Sequence, residues 1–405
     1  MRSSLFLSAA LLAAAPAAAA TGDAAAGLAA LKQYNLIVIE NLTASHDVEG
    51  RTLVGGNLSG QAATFGQGSA AGGQSAMPST GPTLIVGGNN TLTNANINNG
   101  KNGALGSVTT GASMWIGGNN TGNANLNGNG AHDLIVGGNL GGNHNANRGD
   151  TVRVGGNVSG HLNINGGTVQ LGGTAGGANF NSGSYTKNLG SAFQQSLAAQ
   201  VTETTNQVVA DVLALSAKLA SLTVVNASTI TTNANTLTLN AIDGGNGFAL
   251  FNLDAATFAG LTKLDFAFGD DAMPVIINVT GASALTFGLA PTGGNTADRN
   301  QQVIWNFVDA TSLDVTRLFH GSIIAPNATL YNHTPIEGSV VARNFVQGGE
   351  VHLGTYAGDG SFLIAPPPPE PQLPAVPEPA SWAMMLGGFA VAAVMLRRKP
   401  SLQFA

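Results

Sequence analysis

The chain has 405 residues, a formal net charge of −6 at pH 7, only 9% charged residues, 56 Gly and no Cys. The lack of thiols excludes disulfide scaffolds and Cys-ligated zinc or iron–sulfur sites, and the acidic balance argues against a nucleic-acid protein, which carries a basic face. An apolar share of 43% is too high for a charge-driven disordered chain.

Residues 1–20 read as a signal peptide. Arg2 supplies the positive n-region, Leu5 to Ala15 an apolar h-region too short to span a bilayer, and Ala17 to Ala20 an A-x-A cleavage site. The body that follows is expected to be exported.

The next feature is a repeat. Leu53-Val54-Gly55-Gly56-Asn57 returns at Ile85–Asn89, Trp115–Asn119, Ile135–Asn139 and Arg153–Asn157, and in degenerate form at Gln170–Thr174. The first glycines step by 32, 30, 20, 18 and 17 residues. A short β-branched run before Gly-Gly-Asn is a strand entering a tight turn, with glycine expected to supply φ > 0 and asparagine to bond locally. A step of 17 to 20 suits one coil of a parallel β-helix, and the longer steps fit coils with surface insertions such as Thr64–Ser79. Asn57, Asn89, Asn119, Asn139 and Asn157 are then expected to form a hydrogen-bonded ladder on equivalent turns.

The period changes at Leu189, Phe193, Leu197, Val201, Val208, Val212, Leu215, Leu219 and Leu222, which make the apolar stripe of a helix. Asn188 is the expected N-cap. A helix over about 188–222 would be about 50 Å long and is expected to pack along the solenoid flank, with the Thr202–Asn206 stretch as a potential break. From Thr223 strands return: Thr236–Asn240, Phe248–Leu253, Lys263–Phe268, Val275–Thr280, Ala284–Gly288, Val303–Val308, Gly321–Ala325, Thr329–Tyr331, Gly338–Ala342 and Glu350–Leu353.

The end of the chain reads as a Pro-rich linker over 366–375, then Val376-Pro377-Glu378-Pro379, an apolar transmembrane helix over 380–396, and the basic stop Arg397-Arg398-Lys399. This order resembles the PEP-CTERM sorting signal of Gram-negative bacteria, over residues 376–400, which implies an exosortase-type processing enzyme as partner. Cleavage is expected near Pro377–Pro379.

Leu36–Asn41, Asp47–Arg51 and Gly55–Asn57 resemble the start of the choice-of-anchor A domain. Trp305–Phe307, Gly321–Ala328, Ile336–Ala342 and Gly349–His352 resemble its closing block. The resemblance covers about residues 30–357. It implies an adhesin-like surface domain and no catalytic residues, so none are assigned. The long Asn/Gly-rich run Thr83–Gly177 departs from that pattern.

Catalytic and metal sites find little support. β-Helices can host polysaccharide lyases and hydrolases, which need clustered carboxylates. Between Gly50 and Gln200 the only acids are Asp133 and Asp150, one coil apart and read as exposed turn residues. Gly269-Asp270-Asp271 reads as a solvated turn, with a weak Ca²⁺ site as its other reading. In the calcium-roll repeat Ala249 replaces the required Asp. His46 and His352 lie beside acids but lack a third ligand, and Arg148-Gly149-Asp150 is a chance-length tripeptide. Thr91/Thr93 and Thr236/Thr238 are Thr-x-Thr pairs, but a flat ice-binding face needs Thr at one coil position throughout and the Gly-Gly-Asn register does not show that, so ice binding is kept as a minor reading.

The expectation is a mostly β protein. It is a right-handed parallel β-helix over 21–365 with one long flanking α-helix, an N-terminal signal peptide and a C-terminal transmembrane helix. Its function is adhesion at the cell surface or in the extracellular matrix. It needs no metal or cofactor, and its partner is an exopolysaccharide or matrix protein and no nucleic acid. The membrane holds it through the C-terminal helix before processing. The alternatives are a polysaccharide-modifying enzyme and an ice-binding protein.

Overall fold

In the computed structural model the residues described are 20–68, 81–99, 111–127, 130–146, 149–223, 228–243, 245–268, 273–292, 297–364 and 379–397. The expected signal peptide lies outside them but for Ala20, as do the linker, Asp270, Asp271 and Val376 to Glu378. Two units are present, Met1–Ile364 and Ala365–Ala405.

In the first unit the β-branched runs form short strands that stack in parallel. Leu36–Val38, Thr52–Val54, Leu84–Val86, Ser113–Ile116, Asp133–Val136 and Thr151–Val154 pair in this order, and Thr151–Val154 continues onto Thr168–Leu171. Each coil turns through three faces. The second carries Leu42–Ala44 and Leu58–Gly60, followed by single bridges through Asn90, Asn120, Leu140, Val158 and Ala175. The third carries Ala62–Phe65, Asn94–Ile97, Asn123–Leu126, His144–Ala146 and the first halves of Leu162–Leu171 and Ala178–Thr186. Alternation along each strand sends Val54, Val86, Ile116, Val136, Phe65, Ile97 and Leu58 inward to full burial.

The first strand lies in the middle of this stack. Leu36–Val38 has Thr52–Val54 on one side and Val340–Ala342 on the other, both parallel. The first half winds away from that junction to Ala178–Thr186. The second half enters at the far end and winds back through Ala249–Asp254, Val275–Thr280, Val303–Phe307 and Ser322–Asn332 to Val340–Gln347. Trp305 anchors its core against Phe287, Phe307 and Phe319, with ring centroids 5.3, 6.2 and 5.8 Å away.

Two helices cover the first face. The long one, α2 (Ser191–Ala220), is unbroken through Thr202–Asn206, and its 30 residues span about 45 Å. Leu197, Val201, Val212, Leu215 and Leu219 pack on the outward side chains Ile37, Leu53, Ile85, Ile135, Ile276, Ile304, Ile324 and Val341. The shorter α1 (Ala24–Gln33) lies against α2, where a Cβ on Gly27 would strike the Asp211 carbonyl. Asn188 is not the N-cap. It has φ 60°, and the backbone N–H groups of Asn188, Leu189 and Gly190 donate to Gly173, Leu171 and Gly172. That segment closes the last coil, so the helix starts later and Leu189 is left exposed.

Sequence patterning misses the strand Thr229–Asn233, which pairs antiparallel with Thr236–Ala241. It also splits Ser322–Asn332, where the register shifts between Ala325 and Thr329 as the chain turns from one face to the next.

The second unit holds a helix over Pro379–Arg397. No helix among the described residues is long and apolar enough to cross a membrane, so the transmembrane helix expected over 380–396 is not shown. The side chains of residues 379–383 are outside the described set.

Candidate binding face

The corner between the first and second faces is built by the Gly-Gly-Asn repeat. The Asn89 N–H donates to Asn57 Oδ1 at 2.9 Å, Asn119 to Asn89 at 2.8 Å, Asn139 to Asn119 at 2.8 Å and Asn157 to Asn139 at 2.8 Å. The ladder runs further than the repeat. Thr174 N–H donates to Asn157 Oδ1 at 2.9 Å, Asn57 N–H to Asn41 at 3.0 Å and Asn41 N–H to Asn344 at 3.1 Å. The last bond crosses from the first half of the stack to the second. The sequence held this signal at Glu40-Asn41 and Arg343-Asn344, outside any glycine motif.

The glycines serve a different purpose from the one their turn position suggests. None of Gly55, Gly56, Gly87, Gly88, Gly117, Gly118, Gly137 and Gly138 has positive φ. They are required because a Cβ would not fit. On Gly117 or Gly137 it would strike the carbonyl of Gly87 or Gly117 one coil away, and on Gly88 or Gly118 it would strike the amide oxygen of Asn57 or Asn89. On Gly155 it would also lie 2.8 Å from the Cα of Gln194 in α2.

Two residues beyond each ladder asparagine, the second face presents Thr43, Ser59, Thr91, Thr121, Gly141 and Ser159. Thr43, Thr91, Thr121 and Ser159 are exposed and Ser59 half-buried. From Asn41 to Asn157 and from Thr43 to Ser159 neither column carries a charge. Across the junction the same column continues with Val346, Tyr331, Asp314 and Thr286. Tyr331 and Val346 are 40% and 38% exposed, which is high for such side chains. His333 Nε2 lies 2.8 Å from Asp314 Oδ1.

On the third face Asn96 pairs with Asn125, and Asn125 Nδ2 donates to Asn96 Oδ1 at 3.2 Å. Inside the coil a second polar ladder runs from Asn90 Nδ2 to Asn120 Oδ1 at 2.6 Å and on to His144 Nε2, 3.0 Å from Asn120 Nδ2. Burial pushes the His144 pKa down to about 4, so this imidazole is a neutral core group.

Asp133 and Asp150 do not form a catalytic pair. Asp150 is fully buried rather than an exposed turn residue, and its Oδ1 lies 3.0 Å from His132 Nδ1. Asp133 accepts from Trp115 Nε1 at 2.9 Å and pairs with Arg153 at 3.0 Å. The register sets Asp133 beside Thr151 and leaves Asp150 one residue out of step, on the opposite side of the strand. Burial of Asp150 also removes it from any receptor contact through the Arg148-Gly149-Asp150 tripeptide, whose Arg148 is not described. Where the two halves meet, His352 sits between Glu337 at 2.6 Å and Glu350 at 2.9 Å. The hydrogen bond to Glu337 raises its pKa to about 9, despite partial burial. Burial raises the pKa of nearby Glu49, whose carboxylate accepts from Leu353 N–H. His46 Nδ1 lies 2.9 Å from Ser45 Oγ. Among the described residues no group of three or more acidic or imidazole ligands could hold a metal ion.

A family profile described as "Putative Ice-binding-like adhesive domain" matches residues 27–133 and 104–353, and the PEP-CTERM protein-sorting motif matches 375–399. A comparison with curated proteins finds no match. A solved ice-binding protein from an Antarctic bacterium, Flavobacteriaceae, is similar at 14% identity over 79% of this chain and 81% of that one, with a TM-score of 0.26.

Proposed function

We infer that this chain, which belongs to the ice-binding-like adhesive domain family, is an exported adhesin of the cell surface or extracellular matrix. Its PEP-CTERM motif supports export and processing by an exosortase. In this reading residues 1–20 direct secretion. The C-terminal segment holds the precursor at the inner membrane, and cleavage near Pro377–Pro379 passes the body to the surface, as in the choice-of-anchor A domains it resembles.

The observation that carries the adhesive reading is the uncharged stretch of the second face in the first half of the stack. Asn41 to Asn157 and Thr43 to Ser159 set amides and hydroxyls at strand spacing, about 4.8 Å. Such a face suits a neutral, hydroxyl-rich polymer such as an exopolysaccharide, held by many weak contacts in parallel. No cofactor enters, and the protein acts by binding rather than by turnover. The exported chain is to be tested on an array of glycans and matrix proteins. Binding to neutral polysaccharide supports the reading, and no binding to any matrix polymer refutes it. A second reading, ice binding, rests on the hydroxyl column Thr43, Ser59, Thr91 and Thr121; thermal hysteresis in the same preparation would favour it.

A further inference from the structure

The third face ends in an open strand edge at both ends of the stack. At one end Ala178–Thr186 pairs with Leu162–Leu171, and no described residue pairs with its outer edge. From there the face runs through the Asn94, Asn123 and His144 strands, Val48, Val351–His352, Ile336–Glu337 and Phe319–His320. Ala290–Thr292 lies next to Phe319–His320 and continues it through Lys263–Phe268 and Thr236–Ala241. Thr229–Asn233 ends it, with no described strand beyond.

We propose that copies of this chain join head to tail, the Ala178–Ser182 edge of one pairing antiparallel with the Thr229–Asn233 edge of the next. An open edge is a row of unpaired N–H and C=O groups, which proteins usually blunt with charge, proline or a covering element. These two strands contain no charged residue and no proline, and both helices pack on the first face instead. The edges are neutral in a chain of net charge −6, so their approach meets little local repulsion.

Direction decides the partner. Thr229–Asn233 is the strand that runs against its parallel neighbours. A second copy placed end on end therefore meets Ala178–Ser182 antiparallel, the more stable ladder. Asn179 Nδ2 and Asn181 Nδ2 already donate down the stack to Asn163 and Asn165, which leaves their amide oxygens for the next strand. Pairing Ala178–Thr186 with itself across a two-fold axis would leave Thr229–Asn233 open. The head-to-tail contact uses both edges and does not close, so it builds a filament. This assembly does not depend on what the second face binds.

The test uses the full chain in sedimentation and electron microscopy, with two edge-blocked variants, Asn179→Lys with Asn181→Lys and Thr229→Lys with Thr231→Lys. All four side chains are exposed, and circular dichroism confirms that each variant is folded. The wild-type chain should form linear filaments that lengthen with concentration. Each variant alone should be monomeric, and an equimolar mixture of the two should give a one-to-one dimer through the remaining pair of open edges. A wild-type chain that stays monomeric at its solubility limit overturns the proposal. So does a Thr229/Thr231 variant that still dimerises, which would mean two-fold pairing, and so does assembly that neither variant reduces.

Discussion

A Cβ on Gly138 would meet the Asn119 amide oxygen and the Gly118 carbonyl, lying 2.8 Å from the latter. Gly138→Ala should therefore destabilise the chain by about 1–3 kcal/mol through overpacking, read as a lower urea midpoint. The matching loss of the amide, Asn119→Ala, should cost less, about 0.5–1.5 kcal/mol, because the ladder is exposed and water can replace the lost acceptor. Two histidines should give the stability a maximum near neutral pH. His144 has a folded pKa below its ordinary value, about 4, so unfolding takes up a proton and stability falls as pH drops from about 6.5 toward 4. His352 has a folded pKa raised to about 9, so its contribution is complete below about 6.5 and is lost as pH rises through about 9. Urea midpoints measured across pH should show both limbs. His144→Asn should flatten the acid limb and His352→Gln the alkaline one.

At the scale of elements, the stripe on α2 predicts its own energetics. Leu215 is fully buried between the helix and the first face, so Leu215→Ala should cost about 2–5 kcal/mol, measured by chemical denaturation. Much of this level is legible in the sequence. Lys263–Phe268 and Val275–Thr280 have the bounds read from the sequence. In the first, apolar residues at every second place commit the strand to one face. In the second, a run buried on both sides, between the coil core and the helices, leaves Thr280 as its exposed end. The helix start is not legible, because Asn188 looks like a cap and is instead spent on the last coil. Thr229–Asn233 is equally hidden: all five residues are exposed, so no burial pattern marks it. Nor does the Gly-Gly-Asn spacing distinguish glycine chosen for positive φ from glycine chosen for lack of a side chain. That difference lies in contacts with the neighbouring coil.

For the whole molecule, the decisive link is the seam that joins the halves. Leu36↔Val340 pairs residues from opposite ends of the body, and nothing local in either segment encodes that partner. Asn35 is buried there; its Nδ2 donates to the Gly338 and His352 carbonyls, both at 2.9 Å, and its Oδ1 accepts from Gly50 N–H at 3.0 Å. Asn35→Ala should cost about 1–3 kcal/mol through the groups it orphans. A calorimetric scan should show both halves losing stability in one transition. The same seam aligns the two parts of the second face, from Ser159 through Thr43 to Tyr331, on which the adhesive reading depends. The most direct test compares binding of the exported chain to a neutral matrix polysaccharide in two variants. Thr91→Arg with Thr121→Arg alters the second face, and Asn94→Arg with Asn123→Arg alters the third. The second-face pair should weaken binding by about tenfold or more, through lost multivalent contacts, while the third-face pair leaves it near wild type. Equal binding by wild type and the second-face variant would contradict the account.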